Sequence, residues 1–315
     1  MDSPLVSVII PCYNASKYVE QAVRSVMEQT YQNLEIICCD DCSTDNTLEI
    51  LGRLASEDSR IKVIKNAANL KIVKTLNELI AVANGKYIAR MDADDISLSE
   101  RIEKQVSFLE DNQDFVMCGT NAFHINEDGI ILGKTHLPIS YESNRVLLPL
   151  YSTIYHPTVL INAKILKEEL YSDQYPYAED YELWTRLVFN RNLKLGNLPD
   201  YLFKYRVFNL QSCSVHRQEQ IQSCGKVISN FTHFSDIEKK VVINICWQSD
   251  EKIELFEITK IVKKINRLGM SSVEAYKKIL LYIKRNYNMF VFLCYALNPI
   301  GIVTLCNIIV NKLKR

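Results

Sequence analysis

The chain has 315 residues, of which 48% are apolar and 23% charged, and this composition excludes an intrinsically disordered protein. The length allows one large domain or two smaller ones, and the scarcity of glycine (9) and proline (8) argues against long flexible linkers. Because 37 Lys and Arg balance 37 Asp and Glu, any preference for a charged partner must come from how the charges are distributed along the chain.

The N-terminal segment lacks the features of an export signal. It begins MDSPLVSVII, without a basic stretch, and the apolar run at residues 5–10 is too short for a signal peptide. We therefore expect a cytoplasmic protein whose ten cysteines are free thiols and act mostly as small buried apolar side chains. Cys39 and Cys42 form a C-x-x-C motif, but no second pair accompanies it, so a zinc or redox role is disfavoured.

Short apolar runs alternate with helical periodicities in the first 95 residues. Runs rich in β-branched residues predict buried parallel strands at 6–10, 34–39, 61–65 and 86–91. Apolar residues at helical spacing predict a helix after each of the first three strands, and Gly85 is expected to cap the third helix. The alternating order predicts a doubly wound α/β half-domain, which binds ligands at the carboxyl ends of its strands.

The following segment mixes helices and strands. Helical patterns cover residues 101–110 and 179–189, and a strand is predicted at 115–122. Residues 123–137 are predicted to form a hairpin that turns at Glu127-Asp128-Gly129. Beyond about residue 218 the pattern is helical and rich in lysine.

Acidic side chains follow two of the predicted strands. Asp40-Asp41 closes the second strand, and Asp92-x-Asp94-Asp95 closes the fourth, so we expect these carboxylates to lie side by side in one crevice. Such a cluster needs a cation, and Mg²⁺ or Mn²⁺ would also bind phosphate oxygens. A D-x-D motif alone is a weak signal because solvated turns are often acidic. Dinucleotide-binding and P-loop motifs are absent, which disfavours dehydrogenases and P-loop NTPases.

Four segments in order carry a family resemblance. They are VSVIIPCYN from residue 6, DDCSTD from residue 40, GKYIARMDADD from residue 85 and AEDYELWTRL from residue 178. Together they resemble the family-2 glycosyltransferases with the GT-A fold, over roughly residues 5–216. The resemblance implies a mostly parallel sheet with a nucleotide-binding half, and a helical extension at the C-terminus.

The resemblance also implies roles for residues of the nucleotide site. Pro11 and Tyr13 match the turn that lies against the base, and Asp41 matches the carboxylate that accepts the uracil N3 proton. Asp92 matches the first acid of D-x-D, near the ribose and the hydration shell of the metal. Asp94 matches the direct ligand of a Mn²⁺ or Mg²⁺ cofactor.

Two acids and two histidines are assigned to the acceptor and metal sides. Asp180 matches the general base that deprotonates the acceptor hydroxyl, and Glu179 beside it is a substrate-binding candidate. Asp180 starts a helix with an apolar face, so burial would raise its pKa, although helix starts favour acids in any case. His156 matches a histidine near the acceptor, and His216 could reach the metal or the diphosphate. Either histidine could equally be an ordinary loop residue.

Two positions depart from the family pattern. Cys42 stands where many members have glycine, so the turn must accept a side chain or take a negative φ. Lys71 also stands where glycine is frequent. Neither change touches the acids named above, but the outer wall of the donor pocket is expected to differ.

The C-terminal tail is strongly basic. Residues 258–315 contain 11 of the 37 basic residues and one acid, Glu274, so the tail carries about +10 and the first 257 residues about −10. Apolar runs between residues 289 and 310 are interrupted by Pro299, which argues against a straight spanning helix. We expect a helical hairpin in the membrane interface, or alternatively a helix pair packed on the catalytic domain.

These features predict a metal-dependent inverting glycosyltransferase that moves a hexose from a UDP-sugar to a hydroxyl of a glycan or lipid-linked acceptor. Its catalytic domain would span residues 1–217, with a nucleotide-sugar half at about 1–95 and an acceptor half at 96–217. Residues 218–315 would form the basic helical region, which holds the cytoplasmic protein on the anionic inner face of the cell membrane, with no nucleic acid as partner.

Two alternatives remain open. A non-catalytic module that binds a nucleotide sugar would not need Asp180. A nucleotidyltransferase would usually carry a glycine-rich and basic loop after the first strand, and the sequence there is PCYNASKY.

Overall fold

The computed structural model describes residues 3–208, 215–231 and 242. Its strands are β1 (Val6–Cys12), β2 (Leu34–Asp40), β3 (Ile61–Lys65), β4 (Tyr87–Arg90), β5 (Ile96–Ser97), β6 (Phe115–Ile125), β7 (Ile131–Lys134), β8 (Leu160–Asn162) and β9 (Lys194–Arg206). Its helices are α1 (Val19–Met27), α2 (Thr47–Glu57), α3 (Lys71–Val82), α4 (Arg101–Asp111), α5 (Tyr141–Leu147), α6 (Ala163–Glu169), α7 (Glu179–Phe189) and α8 (Arg217–Phe231). A short 3-10 helix, His156–Thr158, precedes β8.

One mixed sheet runs through the described residues, in the order β3-β2-β1-β4-β8-β6-β9-β5, with β7 paired to β6. The first four strands of this order are parallel. Strand β8 runs antiparallel to both β4 and β6, and β9 runs parallel to β6. The carboxyl ends of β1, β2, β4, β6 and β9 therefore lie at one edge of the sheet, where an α/β fold places its ligands.

Helices cover both faces of the sheet. Along β1, Val8 and Ile10 point into one core and Ile9 into the other, because successive side chains of a strand alternate between faces. Helices α1, α2 and α4 bury their apolar stripes on the first face. Helices α3, α6, α7 and α8 do so on the second. Burial on both faces explains why the parallel strands are continuous apolar runs.

Most predicted elements are confirmed. The strand Ile61–Lys65 and the helix Glu179–Phe189 have the predicted bounds, and the predicted hairpin turns between β6 and β7. The tail beyond residue 257, for which a membrane-interface hairpin was predicted, lies outside the described residues. Within the part of the chain that is described, no helix has the length and apolar character needed to cross a membrane. The domain division at residue 217 stays a prediction.

The predicted role of Gly85 is wrong. Helix α3 ends at Ala83 in extended backbone, with φ −67° and ψ 133°, rather than in a left-handed glycine cap. Gly85 is needed for a close approach instead. A Cβ there would lie 2.6 Å from the backbone nitrogen of Ser7, 2.7 Å from the carbonyl oxygen of Tyr87 and 2.8 Å from that of Leu5.

Candidate active site

The D-x-D segment forms a compact acidic loop directly after β4. Carboxylate oxygens of Asp92, Asp94 and Asp95 lie within 4.8 Å of one another. Burial and the neighbouring charge of Asp92 raise the pKa of Asp94 to about 6. Burial likewise raises the pKa of Asp95, whose Oδ2 is buried without a hydrogen-bond partner. Clustered oxygens with raised pKa values fit a hard divalent cation, which would relieve their repulsion.

Arg90 neutralises part of this loop. Its guanidinium is buried and contacts both carboxylate oxygens of Asp92, at 2.5 Å to Oδ1 and 2.7 Å to Oδ2. This bidentate pair is the strong form of a charged hydrogen bond. Asp92 thus has a protein partner, which accords with its predicted indirect role toward a metal. Sequence reasoning missed Arg90, although its position at i−2 places it on the same side of the strand as Asp92.

A second arginine fixes the backbone of the acidic loop. The backbone N–H of Arg206, at the end of β9, donates to Asp95 Oδ1 at 2.8 Å, and its Nε donates to the carbonyl oxygen of Asp94 at 2.7 Å. The same guanidinium lies 4.2 Å from the ring centroid of Tyr18 and donates to carbonyl oxygens of the β6–β7 turn. Arg206 is 111 residues from Asp95, so no local motif pointed to it.

The carboxylate of Asp41 is held rigidly on the other side of β1. Its Oδ1 accepts from Asn66 Nδ2 at 2.8 Å and from the backbone N–H of Leu70 at 2.9 Å, while its Oδ2 accepts from the backbone N–H of Lys71 at 2.9 Å. Strand β1 separates β2 from β4, and the described metal-compatible cluster contains only the three acids after β4. The expectation that the two acid pairs lie directly side by side is therefore wrong, while both pairs follow strands whose carboxyl ends lie at the same edge of the sheet.

Two loops at the edge of the sheet are joined by side-chain hydrogen bonds. The backbone N–H of Asn14 donates to Ser43 Oγ at 3.0 Å, and Asn14 Oδ1 accepts from the backbone N–H of Thr44 at 2.8 Å. Pro11 lies half-buried within β1, and the ring of Tyr13 is 51% exposed at this edge. An exposed tyrosine on a fixed turn is compatible with stacking on a nucleotide base.

Positions 42 and 71 both adopt left-handed backbone. Cys42 has a φ of 61° and Lys71 a φ of 66°. The turn after β2 therefore keeps the conformation that glycine allows and carries a side chain in it, rather than taking a negative φ. The backbone of the site thus retains the glycine-type geometry despite both substitutions.

Helix α7 contributes two acids, the buried Glu179 and the half-buried Asp180. Burial and the neighbouring Asp180 raise the pKa of Glu179 to about 7, and burial raises that of Asp180 to about 6. The predicted rise for Asp180 is thus seen. The charges of Arg90 and Asp92 also affect both pKa values, which shows that the start of α7 and the D-x-D loop share one electrostatic site. Glu179 Oε2 is buried and has no hydrogen-bond partner.

His156 lies at the same site as a neutral imidazole. Its Nε2 is 2.9 Å from Tyr171 Oη, and its ring centroid is 6.0 Å from that of Trp184 on α7. Burial and the charge of Arg90 hold the pKa of His156 well below its usual range. Tyr171, which the sequence did not single out, is the residue that orients this histidine.

His216 is not among the three residues of the acidic cluster. Its ring stacks on that of Tyr177, with centroids 4.4 Å apart, and its Nδ1 lies 3.2 Å from Glu219 Oε1. The structure thus brings together Arg90, Asp92, His156, Glu179 and Asp180. It places His216 against the turn before α7.

The fold and the acidic edge together define an α/β protein with a candidate ligand site at the carboxyl ends of its strands, and comparison with known proteins identifies its family. Residues 7–170, just over half of the chain, match the family described as "Glycosyl transferase family 2". The chain belongs to this family and is a glycosyltransferase.

Two relatives illustrate the family. An uncharacterised glycosyltransferase of Haemophilus influenzae is 34% identical over 91% of this chain and 93% of its own length. The Escherichia coli protein WfgD is 31% identical over 73% of this chain and 88% of its own length. It is named as a UDP-Glc:alpha-D-GlcNAc-diphosphoundecaprenol beta-1,3-glucosyltransferase.

Solved structures confirm the predicted GT-A fold. TarS from S. aureus, crystallised with UDP-GlcNAc, has a TM-score of 0.61 at 18% identity and covers 94% of this chain and 90% of its own. A mannosyltransferase from Pyrobaculum calidifontis, in complex with GDP-Man and Mn²⁺, has a TM-score of 0.56 at 16% identity. The match covers 96% of this chain and 83% of the mannosyltransferase chain. At these identities the likeness concerns the fold alone.

Proposed function

We propose that this glycosyltransferase moves a hexose from a UDP-sugar to a hydroxyl of a glycan or lipid-linked acceptor, with inversion at the sugar carbon. The observation that carries the proposal is the shared electrostatic site of the D-x-D loop and the start of α7. It supplies clustered carboxylates and a half-buried acid, Asp180, whose pKa is raised to about 6.

The roles at the donor end follow from the acidic loop. Asp94 would hold a Mn²⁺ or Mg²⁺ ion directly and Asp92 indirectly; when bound, the ion supplies positive charge for the diphosphate. Asp41 would accept the uracil N3–H with the acceptor capacity left on its fixed carboxylate, and Tyr13 with Pro11 would contact the base. The UDP-sugars named for WfgD and TarS support a uracil nucleotide.

The roles at the acceptor end follow from α7. Asp180 would take the proton of the acceptor hydroxyl, and the resulting oxygen would attack C1 from the face opposite the nucleotide. The C1–O bond to the diphosphate breaks as the new bond forms, so the enzyme forms no covalent intermediate with the sugar. Glu179 and the neutral His156 would contact the sugar or the acceptor, because Glu179 adjoins Asp180 in the chain and His156 lies close enough to Arg90 for that charge to lower its pKa.

The biological setting is also a proposal. The lipid-linked acceptor in the name of WfgD supports a role in bacterial surface-polysaccharide synthesis. An acceptor of this kind is reached at a membrane, and the basic segment 258–315 would hold a cytoplasmic protein on the anionic inner face. The domain division at residue 217 and the absence of a nucleic-acid partner belong to this same proposal.

The test measures donor binding and turnover together. We would incubate the protein with Mn²⁺ and UDP-Glc, UDP-GlcNAc, UDP-Gal or GDP-Man, and follow thermal stabilisation and the release of UDP or GDP. One UDP-sugar should stabilise the fold most and be slowly hydrolysed, and EDTA should abolish both effects. Tighter binding of GDP-Man, or full activity in EDTA, would contradict the assignment.

The same assay separates the alternatives. A pure binding module would be stabilised by a UDP-sugar without releasing UDP from it over long incubation with acceptor candidates. A nucleotidyltransferase would release pyrophosphate from UTP in the presence of a sugar phosphate. Release of UDP, lost in Asp180→Asn, fits only the glycosyltransferase.

A further inference from the structure

The turn that precedes helix α7 is held in a strained conformation. Tyr177 has a φ of 61°, in the left-handed region that aromatic side chains rarely adopt. Helix α7 begins at Glu179, and its preceding residue, Ala178, makes no side-chain cap hydrogen bond. Strain of this kind persists only where the surroundings fix the conformation. The turn is closed by a hydrogen bond from the backbone N–H of Ala178 to the carbonyl oxygen of Tyr175 at 3.0 Å, and further contacts to Tyr177 come from a distant part of the chain.

Helix α8 and His216, the residue directly before it, supply these further contacts. The imidazole of His216 stacks face to face on the ring of Tyr177, with centroids 4.4 Å apart and planes 9° apart. Gln220 Nε2 donates to the carbonyl oxygen of Tyr177 at 3.0 Å. Further along the helix, Asn230 Nδ2 donates to Tyr175 Oη at 2.8 Å. His216 and helix α8 thus contact the ring of Tyr177, its backbone carbonyl group and the side chain of Tyr175.

Helix α8 is itself firmly seated. Cys224, Val227 and Ile228 are fully buried in the same core as the apolar face of α7. The first turn of α8 is closed by a hydrogen bond from the backbone N–H of Gln220 to the carbonyl oxygen of His216, at 3.0 Å. A packed helix with a closed first turn is a rigid support for the residues it presents.

We infer that His216 and Gln220 are positioning residues, which hold the turn at Tyr177 so that the acids at the start of α7 keep their place in the site. This inference rests on the proposed function, in which Asp180 acts on the acceptor. It gives His216 a role through its flat ring. The metal or diphosphate contact implied by the family resemblance would instead require one of its nitrogens.

Four single variants of the full-length protein test the inference. His216→Ala removes the stack, and His216→Phe keeps a flat ring but no nitrogen. Gln220→Ala removes the hydrogen bond to the Tyr177 carbonyl. Lys226→Ala changes an exposed residue on the same helix and serves as the matched control.

The first measurement does not depend on any substrate. Chymotrypsin can cut after Tyr177, whereas the bond after Tyr175 resists cleavage because Pro176 follows it. His216→Ala and Gln220→Ala should be cut at Tyr177 at least roughly tenfold faster than the wild type, since local opening exposes the turn. His216→Phe and Lys226→Ala should resemble the wild type. If removing the stack and the hydrogen bond leaves this cleavage unchanged, the inference is wrong whatever the donor is.

The second measurement uses the donor found in the panel. His216→Ala and Gln220→Ala should lower kcat by about 10- to 100-fold, as small misplacements of a reacting group do, with the KM for the donor within about twofold. His216→Phe should restore most of the rate. Equal losses in His216→Ala and His216→Phe, with weaker binding of Mn²⁺ and UDP, would overturn the inference in favour of a ligand role. An unchanged kcat with a lower melting temperature would overturn it in favour of a purely structural one.

Failure of the proposed function gives a different result. In that case the wild type itself turns over no UDP-sugar, and the chymotrypsin comparison still decides whether α8 holds the turn.

Discussion

The guanidinium of Arg90 lies among more acids than it can neutralise. It pairs with Asp92, and its positive charge also lowers the pKa values of Asp94, Glu179 and Asp180. All three nevertheless stay above their usual values, because burial outweighs the attraction. The site is therefore short of positive charge, which a bound divalent cation would supply.

The first prediction follows from the raised pKa of Asp94. At pH 7.5 this carboxylate is ionised although the fold disfavours its charge, so Asp94→Asn should stabilise the metal-free protein. With a folded-state pKa of about 6 against an ordinary value of 3.8, the gain is roughly 1–3 kcal/mol. Melting in EDTA at pH 7.5 measures it.

The pH dependence of this stability difference and the effect of a metal ion on it can both be checked. The difference should shrink as the pH falls below about 6 and vanish below about pH 3, where the wild-type group is protonated in both the folded and the unfolded state. Mn²⁺ should raise the melting temperature of the wild type but not of Asp94→Asn. A variant that melts lower than the wild type in EDTA would show that this carboxylate is already compensated.

The second prediction concerns the proton acceptor. A base must be ionised to work, and burial raises the pKa of Asp180 to about 6. The rate should therefore fall as the pH drops below about 6, by up to tenfold per pH unit. Asp180→Asn should lose at least about 100-fold in kcat at about pH 7.5, with little change in donor affinity. Loss of donor affinity with unchanged kcat would remove Asp180 from this role.

At the scale of elements, the third prediction concerns the junction of α3 and β4. Gly85→Ala should destabilise the fold by about 3 kcal/mol, because its Cβ would lie under 3.0 Å from three backbone atoms that no rotamer change can move. Gly52→Ala is the matched control. Its Cβ meets nothing within 4 Å on helix α2, so it should stabilise by about 0.5–1 kcal/mol. Denaturant unfolding of both variants measures the contrast, and equal effects would contradict the close-approach account.

Local patterns predicted the elements because each buries an apolar face of fixed period. Ile61–Lys65 and Glu179–Phe189 came out with the right bounds for this reason. The family resemblance drew attention to positions 42 and 71 but left the backbone at 42 open between two conformations, and both positions have positive φ. Patterns of this kind depend only on residues that are near one another in sequence.

Long-range pairings were not predictable in this way. The lateral order of the strands put β1 between the two acid pairs, and no property of Asp41 or Asp94 alone encodes that order. The contact of Arg206 with Asp95 spans 111 residues, and the stack of His216 on Tyr177 joins the segments that precede two different helices. Such contacts depend on tertiary packing, so a single sequence carries no local signal for them.

At the scale of the whole molecule, charge is separated along the chain. The first 257 residues carry 26 basic and 36 acidic side chains, whereas residues 258–315 carry 11 and one. The acidic body contains the carboxylate cluster that is proposed to hold a cation. A basic segment next to an acidic body would be drawn to an anionic surface, while the body itself would be repelled from it.

The last prediction tests this separation with the intact chain. Full-length protein should sediment with vesicles that contain anionic lipid, and high salt should weaken but not abolish the binding, because burial of apolar runs is not screened. Replacing Lys284, Arg285, Lys312 and Lys314 by Gln should weaken binding by roughly 1 kcal/mol for each residue near the surface. The matched control replaces four exposed lysines of the body, Lys65, Lys74, Lys164 and Lys226, by Gln. Both variants should hydrolyse the donor like the wild type. If the tail packs on the catalytic domain instead, the wild type should not bind the vesicles. The tail variant should then melt at a lower temperature than the control.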